Sequence, residues 1–135
     1  MKCGILIVLA LSLASPALAW VGPQRLVVTK PTTTLLACPG LKCGYVLEMC
    51  ANSNIVLPMP LDFQALVIKA YQSPTCAGGF VPTFAPNAKC PTIKWMNGTA
   101  PAPILTKGKT QMYSLVGDVK TEATCVYNEM RQGAE

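Results

Sequence analysis

Hydrophobic and polar positions alternate with a period of two in several short stretches of this chain, each closed by proline, glycine or asparagine, and that pattern predicts strands. Along 44–49 (GYVLEM), Tyr45 and Leu47 oppose Val46 and Glu48. Along 91–96 (PTIKWM), Ile93 and Trp95 oppose Thr92 and Lys94. Weaker extended candidates run over 23–29, 32–37, 104–106, 110–116 and 119–127. The apolar piece 55–57 is closed by Pro58 and Pro60, which cannot donate to a ladder, so it reads as at most a short edge strand.

The stretch 61–80 (LDFQALVIKAYQSPTCAGGF) is the ambiguous one. Read as a helix over 61–72, it has Asp62 as N-cap, a Leu61/Leu66 staple, and Phe63, Leu66, Val67, Ala70 and Tyr71 on one face. Read as a strand, it has adjacent β-branched Val67 and Ile68 and an abrupt stop at Ser73-Pro74. We favour the strand, because the segments around it are strand-like and periodicity does not separate the two for so short a run.

Between these elements lie turn signals. Cys38-Pro39-Gly40-Leu41 suits a type II turn, Asn97-Gly98 a two-residue hairpin, and Lys107-Gly108-Lys109 and Gly117-Asp118 further reversals. Proline and glycine over 76–90 point to a loop with a short extended piece near Phe80, Val81 and Phe84. Asn128 is placed to cap a short terminal helical turn. No internal repeat is evident. The expected fold is mainly β: a small antiparallel sandwich or barrel stapled by three disulfides, with one short helix over 61–72 as the competing element.

The first residues change the setting. Lys2, an apolar block over 5–14, a break at Ser15-Pro16 and the small-x-small Ala17-Leu18-Ala19 read as a secretory signal peptide over 1–19, leaving 20–135 as a single secreted domain that begins at Trp20. The apolar block is too short to span a bilayer, so no stable membrane insertion is expected. Cys3 leaves with the leader, and the seven cysteines become six: Cys38, Cys43, Cys50, Cys76, Cys90 and Cys125. An even count on the oxidising side of a membrane is what disulfides require. Spacing favours Cys76 with Cys90, and Cys125 with one of Cys38, Cys43 and Cys50.

Chemistry is then narrowed by what the composition lacks. The chain has no histidine, which removes Ser-His-Asp and Cys-His nucleophiles and histidine metal sites. With no CxxC either, no metal or other cofactor is expected. Carboxylate pairs of the glycosidase kind, Asp118 with Glu122 or Glu48 with Asp62, are the remaining catalytic candidates, but each residue has an ordinary turn, cap or surface role, so no catalytic residue is assigned. The modest positive charge, +5 before loss of Lys2 and spread along the chain, does not point to nucleic acid. Trp95, Tyr71, Tyr113 and Lys94 are candidates for a binding platform, and Asn97 opens the one N-x-S/T sequon, a candidate glycosylation site.

The make-up resembles that of small cysteine-rich secreted proteins of fungi, among them effectors and toxins, a broad class rather than a family. The expected function is that of a monomeric, extracellular binding protein, effector-like or inhibitor-like, whose partner is an extracellular or host protein or a polysaccharide. The alternatives are a small carboxylate-dependent glycan hydrolase and a cationic antimicrobial or toxin-like protein.

Overall fold

The computed structural model describes residues 22–120, 124–130 and 133–134. The leader with Trp20, and Glu122, lie outside the described residues. Among the described residues ten strands, in chain order, are β1 (Gln24–Val28), β2 (Thr32–Thr34), β3 (Lys42–Met49), β4 (Ser53–Val56), β5 (Ala65–Gln72), β6 (Pro82–Ala85), β7 (Thr92–Lys94), β8 (Thr110–Asp118), β9 (Val126–Glu129) and β10 (Gly133–Ala134). No α-helix occurs among the described residues. The stretch 61–72 is a turn followed by β5, and the expected terminal helical turn at Asn128 is instead β9 and β10.

The molecule is mainly β, with two sheets and three disulfides. The larger sheet has the order β1-β3-β5-β8-β9-β7, with β10 also paired to β8, and the smaller is β2-β4-β6. The chain alternates between them: β1, β3 and β5 lie side by side in one, β2, β4 and β6 in the other, and every one of these pairings is parallel. Gln24 thus pairs with Tyr45, Lys42 with Ala65 and Thr32 with Asn54, a spacing of roughly 20–25 residues like the turn of a coiled β architecture. Among the strands, the antiparallel pairing expected from the sequence is confined to β8 against β5, β9 and β10. Ser53–Val56 is accordingly the central strand of its sheet; Pro58 and Pro60 fall beyond its last ladder residue and cost it nothing.

The two-residue period puts Cys43, Tyr45, Leu47 and Met49 of β3, Leu66, Ile68 and Ala70 of β5, and Tyr113 and Leu115 of β8 into one core. Ile55 and Leu57 come from the smaller-sheet side, and Phe84 of β6 meets Tyr113 of β8 with ring centroids 4.7 Å apart, joining the two sheets. The buried phenols find backbone acceptors: Tyr45 donates to the Leu36 carbonyl at 2.6 Å and Tyr127 to that of Pro58.

Three inward-facing glutamines act as strand substitutes for loops that have no ladder. Gln72 Nε2 donates to the Phe80 carbonyl at 2.6 Å while its Oε1 accepts the Phe80 N–H at 3.2 Å. Gln111 accepts from Ile104 N–H and donates to the Ala102 carbonyl, which holds 102–104 against the sheet although that segment forms no strand. Gln64 does the same at the other end, as described below. A primary amide presents one donor and one acceptor side by side, which is what an unpaired peptide group needs when water is excluded.

The disulfides join Cys38 to Cys43, Cys50 to Cys76, and Cys90 to Cys125. This differs from the Cys76–Cys90 pairing expected from spacing. After Cys76 the chain crosses to the smaller sheet to form β6 against β4, and it returns at Cys90 beside the start of β9 rather than to its own starting point. Cys50 and Cys76 instead follow the parallel strands β3 and β5, which end at the same side of the molecule.

Candidate functional site

Parallel β3 and β5 begin at one end of the molecule, and antiparallel β8 finishes there. Three segments therefore meet at that end: the Cys38–Cys43 loop, the turn 61–64 and the last residues of β8. Buried Gln64 is the pin. Its Nε2 donates to the carbonyls of Cys38 at 3.0 Å and Gly40 at 2.5 Å, and its Oε1 accepts the Leu61 N–H at 3.0 Å. Its own N–H closes the turn on the Leu61 carbonyl, and its carbonyl accepts from Gly117 N–H at 2.9 Å. Ala65 N–H donates to the Leu41 carbonyl, and Asp62 Oδ1 accepts Val119 N–H at 3.0 Å. Asp62 thus ties the turn to β8 rather than capping a helix.

Within this lattice Phe63 has φ +59°, the one non-glycine residue with positive φ among those described. It occupies the third position of the turn, where positive φ is ordinarily supplied by glycine or asparagine. An L-residue with a bulky side chain pays a steric cost there, and such a conformation persists only where its surroundings over-determine it. Here they do: Phe63 N–H is held by the Gly117 carbonyl at 2.9 Å, on one side of the Gln64 pin. The ring gains little packing in return, because Phe63 is 78% exposed. Leu41 at 69% and Leu61 at 48% stand on the two segments joined by the same glutamine, so a rigid end of the fold presents three apolar side chains to solvent.

Gly117 explains part of the geometry. It lies inside β8, not in the turn that Gly117-Asp118 suggested, and its φ is not positive. A Cβ there would stand 2.8 Å from the Leu61 carbonyl oxygen and 2.6 Å from Pro60 Cβ, so glycine is required for close approach of the turn. Gly40 likewise lacks positive φ, and the type II turn expected at 38–41 is replaced by a bent loop held through the disulfide and Gln64.

The residues singled out from sequence are scattered. Tyr113 is in the core at 1% exposure and is no part of any surface. Burial pushes its phenol up to about 12, and does the same to Tyr45, while Tyr127 is also raised. Trp95 is half-buried against Phe84 at 5.9 Å, Lys94 is exposed on β7, and Tyr71 is half-buried on the outward face of β5. They do not make a platform. Glu48 lies level with Tyr71 and accepts a hydrogen bond from buried Ser73 Oγ at 2.6 Å, whereas Asp62 precedes Ala65 at the opposite end of β5. Their separation is roughly 20 Å or more at about 3.3 Å per strand residue, too far for a glycosidase pair. Asp118 is half-buried at the end of β8. Among the described residues no group of three His, Cys, Asp or Glu side chains could hold a metal ion, and no helix is long and apolar enough to cross a membrane.

No protein family matches this chain, and neither the curated proteins nor the solved structures provide a match.

Proposed function

We propose that this protein is a secreted cysteine-rich binding protein that meets an extracellular or host target with the end of the fold that carries Leu41, Leu61 and Phe63. The observation that carries the reading is Phe63, an exposed aromatic held at positive φ where glycine would relieve the strain. Three disulfides in a small domain are compatible with an extracellular setting. Crosslinking the Cys38–Cys43 loop and pinning it through Gln64 lowers the ordering entropy that association would otherwise cost. A large apolar side chain on such a support is the usual kind of interface anchor.

Leu41, Leu61 and Phe63 stand beside exposed Lys42 and Asp62, and an apolar group flanked by one charge of each sign favours a protein partner with an apolar pocket over a polysaccharide. At Leu41 the geometry supports a substrate-like inhibitor loop less well. The Leu41 carbonyl is occupied by Ala65 N–H and Lys42 already belongs to β3, so the Leu41–Lys42 bond is not offered to a protease.

The test is saturable binding of labelled protein to intact cell surfaces and to a panel of extracellular proteins and polysaccharides, comparing the native chain with Phe63→Gly and Phe63→Ala. Loss of binding by more than about tenfold in both variants, with the strand circular dichroism unchanged, is the expected result. Equal binding by all three proteins would refute the assignment. Glycan hydrolysis by the native chain that is abolished by Asp118→Asn would favour the hydrolase instead.

A further inference from the structure

We propose that Asn97 carries an N-linked oligosaccharide, positioned beside the outer β7 edge of the larger sheet, three strand positions across from β5. The inference rests on the secreted reading above, since the transferase works in a secretory compartment. Asn97, Gly98 and Thr99 form the chain's single N-x-S/T sequon, and all three residues are exposed. They lie in a turn closed by the Gly98 N–H on the Trp95 carbonyl at 3.0 Å, which places Asn97 at its third position. Space around the turn is free: a Cβ added to Gly98 would meet nothing within 4 Å. The Asn97 amide is engaged by no other described residue.

The base of the turn is tied to the sheet. Met96 N–H donates to Glu129 Oε2 at 2.7 Å, tying the turn to the end of β9. Among the described residues β7 pairs with β9 alone, which leaves its outer edge open to them, and exposed Thr92, Lys94 and Met96 flank it. Sheet edges of this kind invite pairing with other chains unless something covers them. Register places the turn to one side of the Phe63 end. Lys94 is level with Asn128, Asn128 with Val116, and Val116 with Ala65, so β7 ends level with the start of β5 but three strand positions across the sheet from it.

The chemistry is group transfer without redox change. Asn97 Nδ2 forms a bond to C1 of the first sugar of a lipid-pyrophosphate-linked oligosaccharide. The bond from C1 to the pyrophosphate oxygen breaks, the lipid pyrophosphate leaves with the electron pair, and a transferase base takes the amide proton. The added chain is bulky and hydrophilic, so a folded domain tolerates it only on a free surface.

The experiment is expression of the full chain in a eukaryotic secretory host, with intact mass and peptide mapping of the product recovered from the medium, before and after an amidase that releases N-glycans. The expected result is a discrete mass excess that the amidase removes, converting the Asn97 amide to a carboxylate. That excess should be lost in Asn97→Gln and in Thr99→Ala and retained in Thr99→Ser. Secreted, disulfide-bonded protein with no such excess would overturn the glycan while leaving export intact. Recovery only from the cytosol, with thiols reduced, would overturn both.

Discussion

Phe63 provides the sharpest test of the reasoning about the exposed end. Positive φ costs an ordinary L-residue about 1–2 kcal/mol, and glycine avoids that cost while losing about 0.5–1 kcal/mol more backbone entropy on folding than alanine does. Phe63→Gly should therefore be more stable than Phe63→Ala by about 0.5–1 kcal/mol, a reversal of the usual order. Both variants delete the same ring, so the small contact loss of a residue 78% exposed cancels in the comparison. Val27 in β1, 61% exposed in extended backbone, supplies the control. There the glycine variant should be the less stable by about 0.5–1 kcal/mol. Urea unfolding of the oxidised proteins, followed by far-ultraviolet circular dichroism and compared at equal m-value, reads the differences directly. If Phe63→Ala proved as stable as Phe63→Gly or more so, the strain at this position, and the functional argument resting on it, would be refuted.

Other expectations concern the framework. On the chain-entropy relation, replacing the Cys90 and Cys125 pair by alanines should cost about 4 kcal/mol and replacing the Cys38 and Cys43 pair about 2 kcal/mol, because the first closes a separation of 35 residues and the second one of 5. Denaturant titration of the double variants checks the order, and peptide mapping of unreduced protein checks the pairing. Gln64→Leu should destabilise by about 2–3 kcal/mol, by leaving the Leu61 N–H and the Cys38 carbonyl without their partner. Limited proteolysis should then cut first within 38–41 or 61–64, and cleavage elsewhere would argue against the pin. Tyr45 and Tyr113 are raised from 10.0 to about 12 by burial, and a raised folded value contributes stability that is full below the unfolded pKa and lost as pH rises through the folded one. Stability should therefore fall between about pH 10 and 12, with phenolate absorbance appearing together with unfolding; ionisation of these two phenols near pH 10 in the still-folded protein would contradict their burial.

Strand positions were largely legible because a two-residue period leaves a direct trace, as in Tyr45, Leu47 and Met49 against Val46 and Glu48. Partnership was not. Parallel and antiparallel neighbours use the same alternation, so nothing local distinguishes β5 beside β3 from β5 turned back in a hairpin. Asn97-Gly98 shows the limit well: the turn that forms spans 95–98 with Met96 and Asn97 at its centre, one residue earlier than a hairpin on Asn97-Gly98, and the chain beyond it makes no strand against β7, whose partner β9 comes from far along the sequence. Gly117 in a Gly-Asp pair suggests a turn, whereas its role is to admit Pro60 and Leu61 closely, two requirements that select the same residue. The exposed end was missed because Phe63 contradicts its local preference, and only tertiary contacts with Gly117 and those anchored by Gln64 hold it there. Exposed leucines in a chain without a known arrangement of loops likewise give no sign that they stand together.

The reversal of direction at β8 gives the coiled part of the molecule a finished side and an unfinished one. Past β5 the next neighbour runs the other way and carries β9 and β10 on its far flank, so no additional winding of the same hand-over-hand pattern can be stacked there. In the larger sheet a further parallel winding would thus have to pair on the outer side of β1, where no other strand lies among the described residues.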